Sequence, residues 1–255
     1  MKNKKPKIAF FDFTSCEGCQ LTVVDALQTY PELLDVVKIV EFREAMSEKS
    51  DVYDVAFIEG SCTRESDEAR LRDIRERAGL VVALGACAHL GGVNAIRNRQ
   101  ELGQVREYVY GEHKDWFETY EPRAVEKVIA VDAVIPGCPI DGEEFIRVVK
   151  GLLQGRILKP PDYPVCMECK LNETVCLYQR GQVCLGPVVR AGCHAVCTTY
   201  GSSCIGCRGL IPSANVAALR QVMIEHGVPE TEIDSRFTLF LTNELDEQER
   251  EADHV

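Results

Sequence analysis

An α/β fold is what this sequence predicts: a parallel sheet with helices on both faces, followed by a small cysteine-rich unit. Three observations carry that expectation. Apolar runs of strand length alternate with helical periodicity through the first part of the chain. Several of those runs are almost wholly apolar, as strands buried on both faces are. A Pro-rich stretch at 159–164 then introduces a segment with little periodic hydrophobicity and eight cysteines.

Taken in order, KIAFFDF (7–13) reads as a buried strand and EGCQLTVVDALQTY (17–30) as a helix with a stripe through Leu21, Val24 and Leu27. VVKIVEF (36–42) and VYDVAFIEG (52–60) read as the second and third strands. ESDEARLRDIRERAG (65–79) is a charged amphipathic helix closed by Gly79. LVVALGAC (80–87) is a fourth strand and, after a longer polar stretch, EKVIAVDAVIPG (126–137) a fifth. DGEEFIRVVKGLLQG (141–155) is a helix with Asp141 as its candidate N-cap. This order implies a flavodoxin-like, three-layer domain over residues 1–158. Residues 159–255 form a second domain with a helix at 213–227 capped by Ser213. The acidic end ELDEQEREADHV reads as a solvated tail.

The chain has 255 residues, 45% hydrophobic and 27% charged, with a net charge of −11. That is the composition of a globular protein, and the negative balance argues against a nucleic-acid partner. No apolar run approaches the roughly 18 residues a membrane span needs. The basic start MKNKKPK leads into a strand pattern rather than an export signal, so the cytoplasm is the expected compartment.

Thirteen cysteines are too many for passive core packing in such a compartment. Disulfides are disfavoured there, which leaves zinc or iron–sulfur clusters. In a parallel sheet, sites form beyond the carboxyl ends of the strands. Cys16 and Cys19 follow the first strand, Cys62 the third, Cys87 the fourth and Cys138 the fifth. The glycines at 18, 60, 85 and 137 suit backbone folded tightly around a bulky group. Four thiolates close one such site, and Cys16, Cys19, Cys87 and Cys138 are the chosen four. Cys62 is the spare: a plain buried thiol, an alternative ligand or a redox-active neighbour.

The remaining eight are Cys166, Cys169, Cys176 and Cys184, then Cys193, Cys197, Cys204 and Cys207. They suffice for two four-Cys sites. A zinc ribbon on Cys166, Cys169, Cys204 and Cys207 would leave four idle, whereas two [4Fe–4S] clusters use all eight. The spacing does not divide them between clusters.

TSCEGCQ, VAFIEGS, LGACAHLGG, PGCPIDGEEF and CLGPVVRAGCHAVC…GSSCIGCRG resemble the small, electron-transfer subunit of [NiFe] hydrogenases. The closest likeness is to the cytoplasmic branch that couples hydrogen to NAD(P), sulfur or a deazaflavin, the sulfhydrogenase delta type among them. The resemblance implies a proximal [4Fe–4S] cluster on Cys16, Cys19, Cys87 and Cys138, and a ferredoxin-like segment holding two further [4Fe–4S] clusters on the other eight thiols. It implies as partners a Ni–Fe large subunit, which does the hydrogen chemistry, and flavin/NAD(P)- or ferredoxin-type electron-transfer subunits. Gly137-Cys138-Pro139-Ile140 departs from the Gly-Cys-Pro-Pro of many relatives, and Cys62 is an extra thiol. His194 reads as a neighbour or surface residue, because the thiol count is complete without it. No catalytic constellation and no dinucleotide-binding glycine motif is present in the chain itself. The rival expectations are a related quinone- or dye-linked subunit of complex I type and a zinc-stabilised interaction module.

Overall fold

The computed structural model describes residues 5–252, with the side chains of 251 and 252 left aside. The chain divides into two compact units between Lys159 and Pro160.

In the first unit five parallel strands, β1 (Lys7–Asp12), β2 (Lys38–Phe42), β3 (Val55–Glu59), β4 (Leu80–Leu84) and β5 (Ala133–Ile135), stand in the order β2-β1-β3-β4-β5. That is the doubly wound, flavodoxin-like order, in which the chain changes direction between β1 and β3. The strands are apolar on both sides because both faces are covered. On one face Phe10, Phe42, Phe57 and Phe145 pack together, with ring centroids 4.4 Å apart for Phe10–Phe42 and 5.6 Å for Phe57–Phe145. Against them lie α1 (Gly18–Thr29) and α6 (Gly142–Leu153). On the other face Phe11, Ile58, Val81 and Ala83 meet Leu71 and Ile74 of α3 (Glu65–Arg77).

Several elements differ from expectation. The fifth strand shrinks to Ala133–Ile135, because Val125–Lys127 closes a 3-10 turn instead. The second strand starts at Lys38, after the short helix α2 (Leu33–Val36). The fourth ends at Leu84, so Cys87 sits inside α4 (Gly85–Leu90) rather than on the strand. The polar stretch that follows is largely helical: a 3-10 segment Gly92–Arg99, then α5 (Leu102–Tyr110), then a 3-10 turn Gly111–Trp116. Its neck is closed by Arg97, whose guanidinium donates to Thr119 Oγ1 (2.7 Å) and to the Tyr120 carbonyl (2.6 Å).

The second unit contains α7 (Val165–Leu171), α8 (Val196–Thr199), α9 (Val216–Glu225) and α10 (Glu230–Ala252). The N-cap of α9 is Asn215, whose side chain accepts from Ala218 N, and not Ser213, which adopts φ 57° ahead of it. The acidic end, expected as a solvated tail, is helical as far as residue 252 and its start packs, with Leu245 buried, whereas residues 248–250 are exposed and 253–255 lie outside the described residues. Ile233, Phe237, Leu241 and Leu245 recur on one face of α10 and join Leu185, Val188, Leu219 and Met223 in a buried core. The stripe passes straight into ELDEQ, and the carboxylates that suggested a loose end lie mostly on the helix's other faces.

No helix is long and apolar enough to cross a membrane, among the described residues.

Candidate metal centre

At the carboxyl edge of the sheet, β1 runs on until Thr14 and Ser61 pair through reciprocal backbone hydrogen bonds. Glu17, at φ 63°, then turns the chain into α1. Cys16 lies exposed before that turn and Cys19 is buried within the first helical turn. Glu17 gives the helix no side-chain cap. The cap comes from another strand: Glu59, ending β3 and 2% exposed, accepts from Cys19 N (3.1 Å) and Gln20 N (3.0 Å). A carboxylate on the free N–H groups of a helix start is favourable, and it fixes where Cys19 stands.

Cys87 comes from α4, whose Ala86 N donates to the Gly137 carbonyl at 2.8 Å. That bond holds the Cys87 turn against the loop bearing Cys138, where the Cys138–Pro139 peptide is cis. Two glycines leave space for sulfur. A Cβ on Gly85 (φ +82°) would lie 2.3 Å from the Cys19 sulfur, and one on Gly92 (φ +59°) 2.8 Å from that of Cys87.

These four thiols feel one another. Burial pushes Cys87 up to about 12, and Cys138 and Cys16 add to the effect. Burial raises Cys19 further still, with Glu59, Cys138 and Cys87 contributing. Burial also raises Cys138, followed by Cys16 and Glu59. Cys19, Cys87 and Cys138 thus resist becoming thiolates unless a cation shares the site.

Cys62 stands apart from them. It is fully buried in the core on the α3 face, whereas Cys19 packs on the α1 face. Its sulfur lies 3.0 Å from the Tyr120 hydroxyl, which also donates to Glu68 Oε1 at 2.9 Å. Arg123 bonds that same carboxylate oxygen at 2.6 Å and covers the Tyr120 ring.

In the second unit Cys166, Cys169, Cys176 and Cys184 line one cavity of about 120 Å³, together with Tyr178 and Thr198. Burial pushes Cys166 up to about 11, followed by the neighbouring Cys184, Cys169 and Cys176. The Cys184 sulfur accepts from Cys204 N (3.2 Å) and Gly186 N (3.4 Å). Cys193, Cys197, Cys204 and Cys207 follow on the next stretch of chain. Burial drives the Cys204 thiol well up, and among the nearby thiols that add to this are Cys207 and Cys193. The His194 side chain is exposed; its carbonyl accepts from Asn172 Nδ2 at 2.7 Å.

The sequence reasoning missed Glu59, Glu168 and Thr198. Glu168, 8% exposed, sits between Cys166 and Cys169 on α7 and accepts from Gly192 N (2.7 Å) and Ala195 N (3.0 Å). The available signal was a carboxylate at the end of an apolar strand and another inside a Cys-x2-Cys motif.

Among the described residues, no three His, Cys, Asp or Glu side chains close upon a single metal ion. Cys166, Cys169, Cys176 and Cys184 nonetheless face one shared cavity. All-thiol donor sets with backbone N–H groups aimed at sulfur suit an iron–sulfur cluster.

Comparison with known proteins agrees with this chemistry. Residues 16–152 match the family described as NADH ubiquinone oxidoreductase, 20 Kd subunit. Sulfhydrogenase 2 subunit delta of Pyrococcus furiosus is 38% identical over 92% of this chain and 98% of its own length. The delta subunit of the NAD-reducing hydrogenase HoxS of Cupriavidus necator is 29% identical over 63% of this chain and 83% of its own. Among solved structures, the NAD⁺-reducing [NiFe]-hydrogenase in its H2-reduced state gives a TM-score of 0.55 at 25% identity, covering 60% of this chain and 93% of that one. The Dm. baculatum [NiFeSe]-hydrogenase, at 15% identity and a TM-score of 0.57 over 80% of this chain and 94% of that one, shares the fold. The chain is a small-subunit protein of the [NiFe] hydrogenase type. It belongs to the NADH ubiquinone oxidoreductase 20 Kd subunit family, in which its sequence runs beside sulfhydrogenase delta. Its cysteines and its hydrogenase relatives point to iron–sulfur clusters.

Proposed function

We propose that this chain relays single electrons through three [4Fe–4S] clusters. They would connect a Ni–Fe large subunit with a flavin/NAD(P)- or ferredoxin-type partner in a cytoplasmic hydrogenase complex. The observation that carries the reading is the gathering of thiols into sets: one at the carboxyl edge of the sheet, one around the 120 Å³ cavity and one on the segment that follows.

Cys16, Cys19, Cys87 and Cys138 would hold the proximal cluster. Cys166, Cys169, Cys176 and Cys184 would hold a second, and Cys193, Cys197, Cys204 and Cys207 a third. A cluster of this kind, when bound, takes up and returns one electron with little change of shape. The residues here hold and insulate it. Burial of Cys19, Cys184 and Cys204 lowers the local dielectric. The N–H groups of Cys204 and Gly186 offset negative charge on the Cys184 sulfur. Glu59 fixes the helix start that presents Cys19. Cys62 is proposed as a core thiol rather than a ligand, since its sulfur faces Tyr120.

Anaerobically purified protein is expected to be brown, with roughly twelve irons and as many acid-labile sulfides per chain. Cys138→Ser should cost about four irons and stop hydrogen-dependent dye reduction in the assembled complex. Colourless protein with about three zincs per chain would refute the reading, and full iron content with retained activity in Cys138→Ser would refute that ligand's role.

A further inference from the structure

We propose that Thr198 is a positioning residue for the cluster held by Cys166, Cys169, Cys176 and Cys184, and that its hydroxyl raises that cluster's reduction potential. The inference rests on the reading of the thiol sets just given. It crosses between the sets, because Thr198 lies on the segment that presents the other one, directly after Cys197.

Thr198 is 4% exposed and lines the cavity with the four thiols. Its Oγ1 lies 2.7 Å from the Cys169 sulfur and 2.9 Å from the Ala195 carbonyl oxygen, to which it donates. A hydroxyl has one proton and two lone pairs. While Cys169 is a thiol both contacts are satisfied: the thiol donates to Oγ1 and the hydroxyl donates to Ala195. A ligating thiolate has lost its proton. The only hydrogen then available between the two atoms is the hydroxyl's own, and it turns to the sulfur. The Ala195 carbonyl keeps a partner, because Thr199 N also donates to it at 3.0 Å.

The hydroxyl cannot readily move away. Glu168, on the same helix as Cys169, grips Gly192 N and Ala195 N with its two carboxylate oxygens, and so anchors the turn leading into α8. A donor held on a ligand sulfur stabilises the more negative, reduced cluster over the oxidised one, which moves the potential upward.

The test uses the full chain, purified anaerobically, as Thr198→Val and Thr198→Ser. Midpoints are read by EPR-monitored redox titration, with iron and sulfide counted per chain. Thr198→Val is expected to keep wild-type iron, while one cluster becomes reducible only at lower potential and the other clusters keep their midpoints. Thr198→Ser is expected to match wild type. Unchanged midpoints in a fully loaded Thr198→Val protein overturn the proposal, as does a Thr198→Ser protein that shifts as far as the valine variant. A wild-type chain without acid-labile sulfide removes instead the cluster reading beneath it.

Discussion

Gly85 shows how much of the thiol set at the sheet edge depends on one absent methyl group. Its backbone is left-handed (φ +82°), and a Cβ there would lie 2.3 Å from the Cys19 sulfur. Gly85→Ala combines backbone strain of about 1–2 kcal/mol with a contact that must push Cys19 aside. The expected result is a lower urea midpoint together with loss of iron from that one site; full iron content would show that the loop relaxes freely. Single residues were also where the sequence spoke least evenly. The cysteines announce themselves by type and by position after strands. Glu59 and Glu168 look like any carboxylate until the fold carries backbone N–H groups onto them from elsewhere in the chain, about forty and twenty-five residues away respectively. Cys62 had the right place in sequence for a ligand, yet its sulfur points into the opposite face of the sheet.

At the scale of elements, helix starts separate the legible from the illegible. Asp141 caps α6 through Glu144 N at 2.7 Å, as a local Asp-x-x-Glu pattern predicts. Asp141→Ala should therefore cost about 1 kcal/mol, read as a shift in urea midpoint with unchanged iron content. A shift below a few tenths would mean that packing of Phe145 alone fixes the helix. The start of α1 carries no such local pattern, since its cap arrives from β3. The same division explains α10. Its apolar residues recur at helical spacing, but runs of Glu and Asp between them suggested a frayed end. Amphipathic helices whose polar face is strongly acidic look disordered by composition, and only the partner core in Leu219 and Met223 shows which face wins.

For the molecule as a whole, the alternation of periods was enough to expect a parallel sheet covered on both faces, because such strands are apolar throughout, whereas the order of its strands is read from the structure. The cysteine-rich unit was harder. Its core joins apolar residues scattered among the thiols, such as Val165, Leu185 and Val189, to Leu219 and Met223 of α9 and Phe237 and Leu241 of α10, and scattered residues leave no periodic pattern to read. One global property follows from burial in the first unit. Tyr53 is buried against Phe11, and burial pushes its phenol up to about 12. The unfolded chain loses that proton near pH 10 while the fold still keeps it. The contribution is therefore complete below about pH 10 and is lost as pH rises towards about 12. Urea midpoints measured across that window should fall more steeply for wild type than for Tyr53→Phe; parallel curves would show that the phenol is not held neutral by the fold.

The guanidinium of Arg97 ties off the chain where the excursion containing α5 leaves the domain and returns. Everything between, including the outward Tyr108 and Trp116, hangs from a closed stem, while the Cys87 and Cys138 loops are stitched directly to each other by Ala86 N and Gly137 O. The two fastenings share no residue, so shortening 101–117 is expected to leave the iron content of the sheet-edge thiol set unchanged, which an iron count on the shortened chain would check.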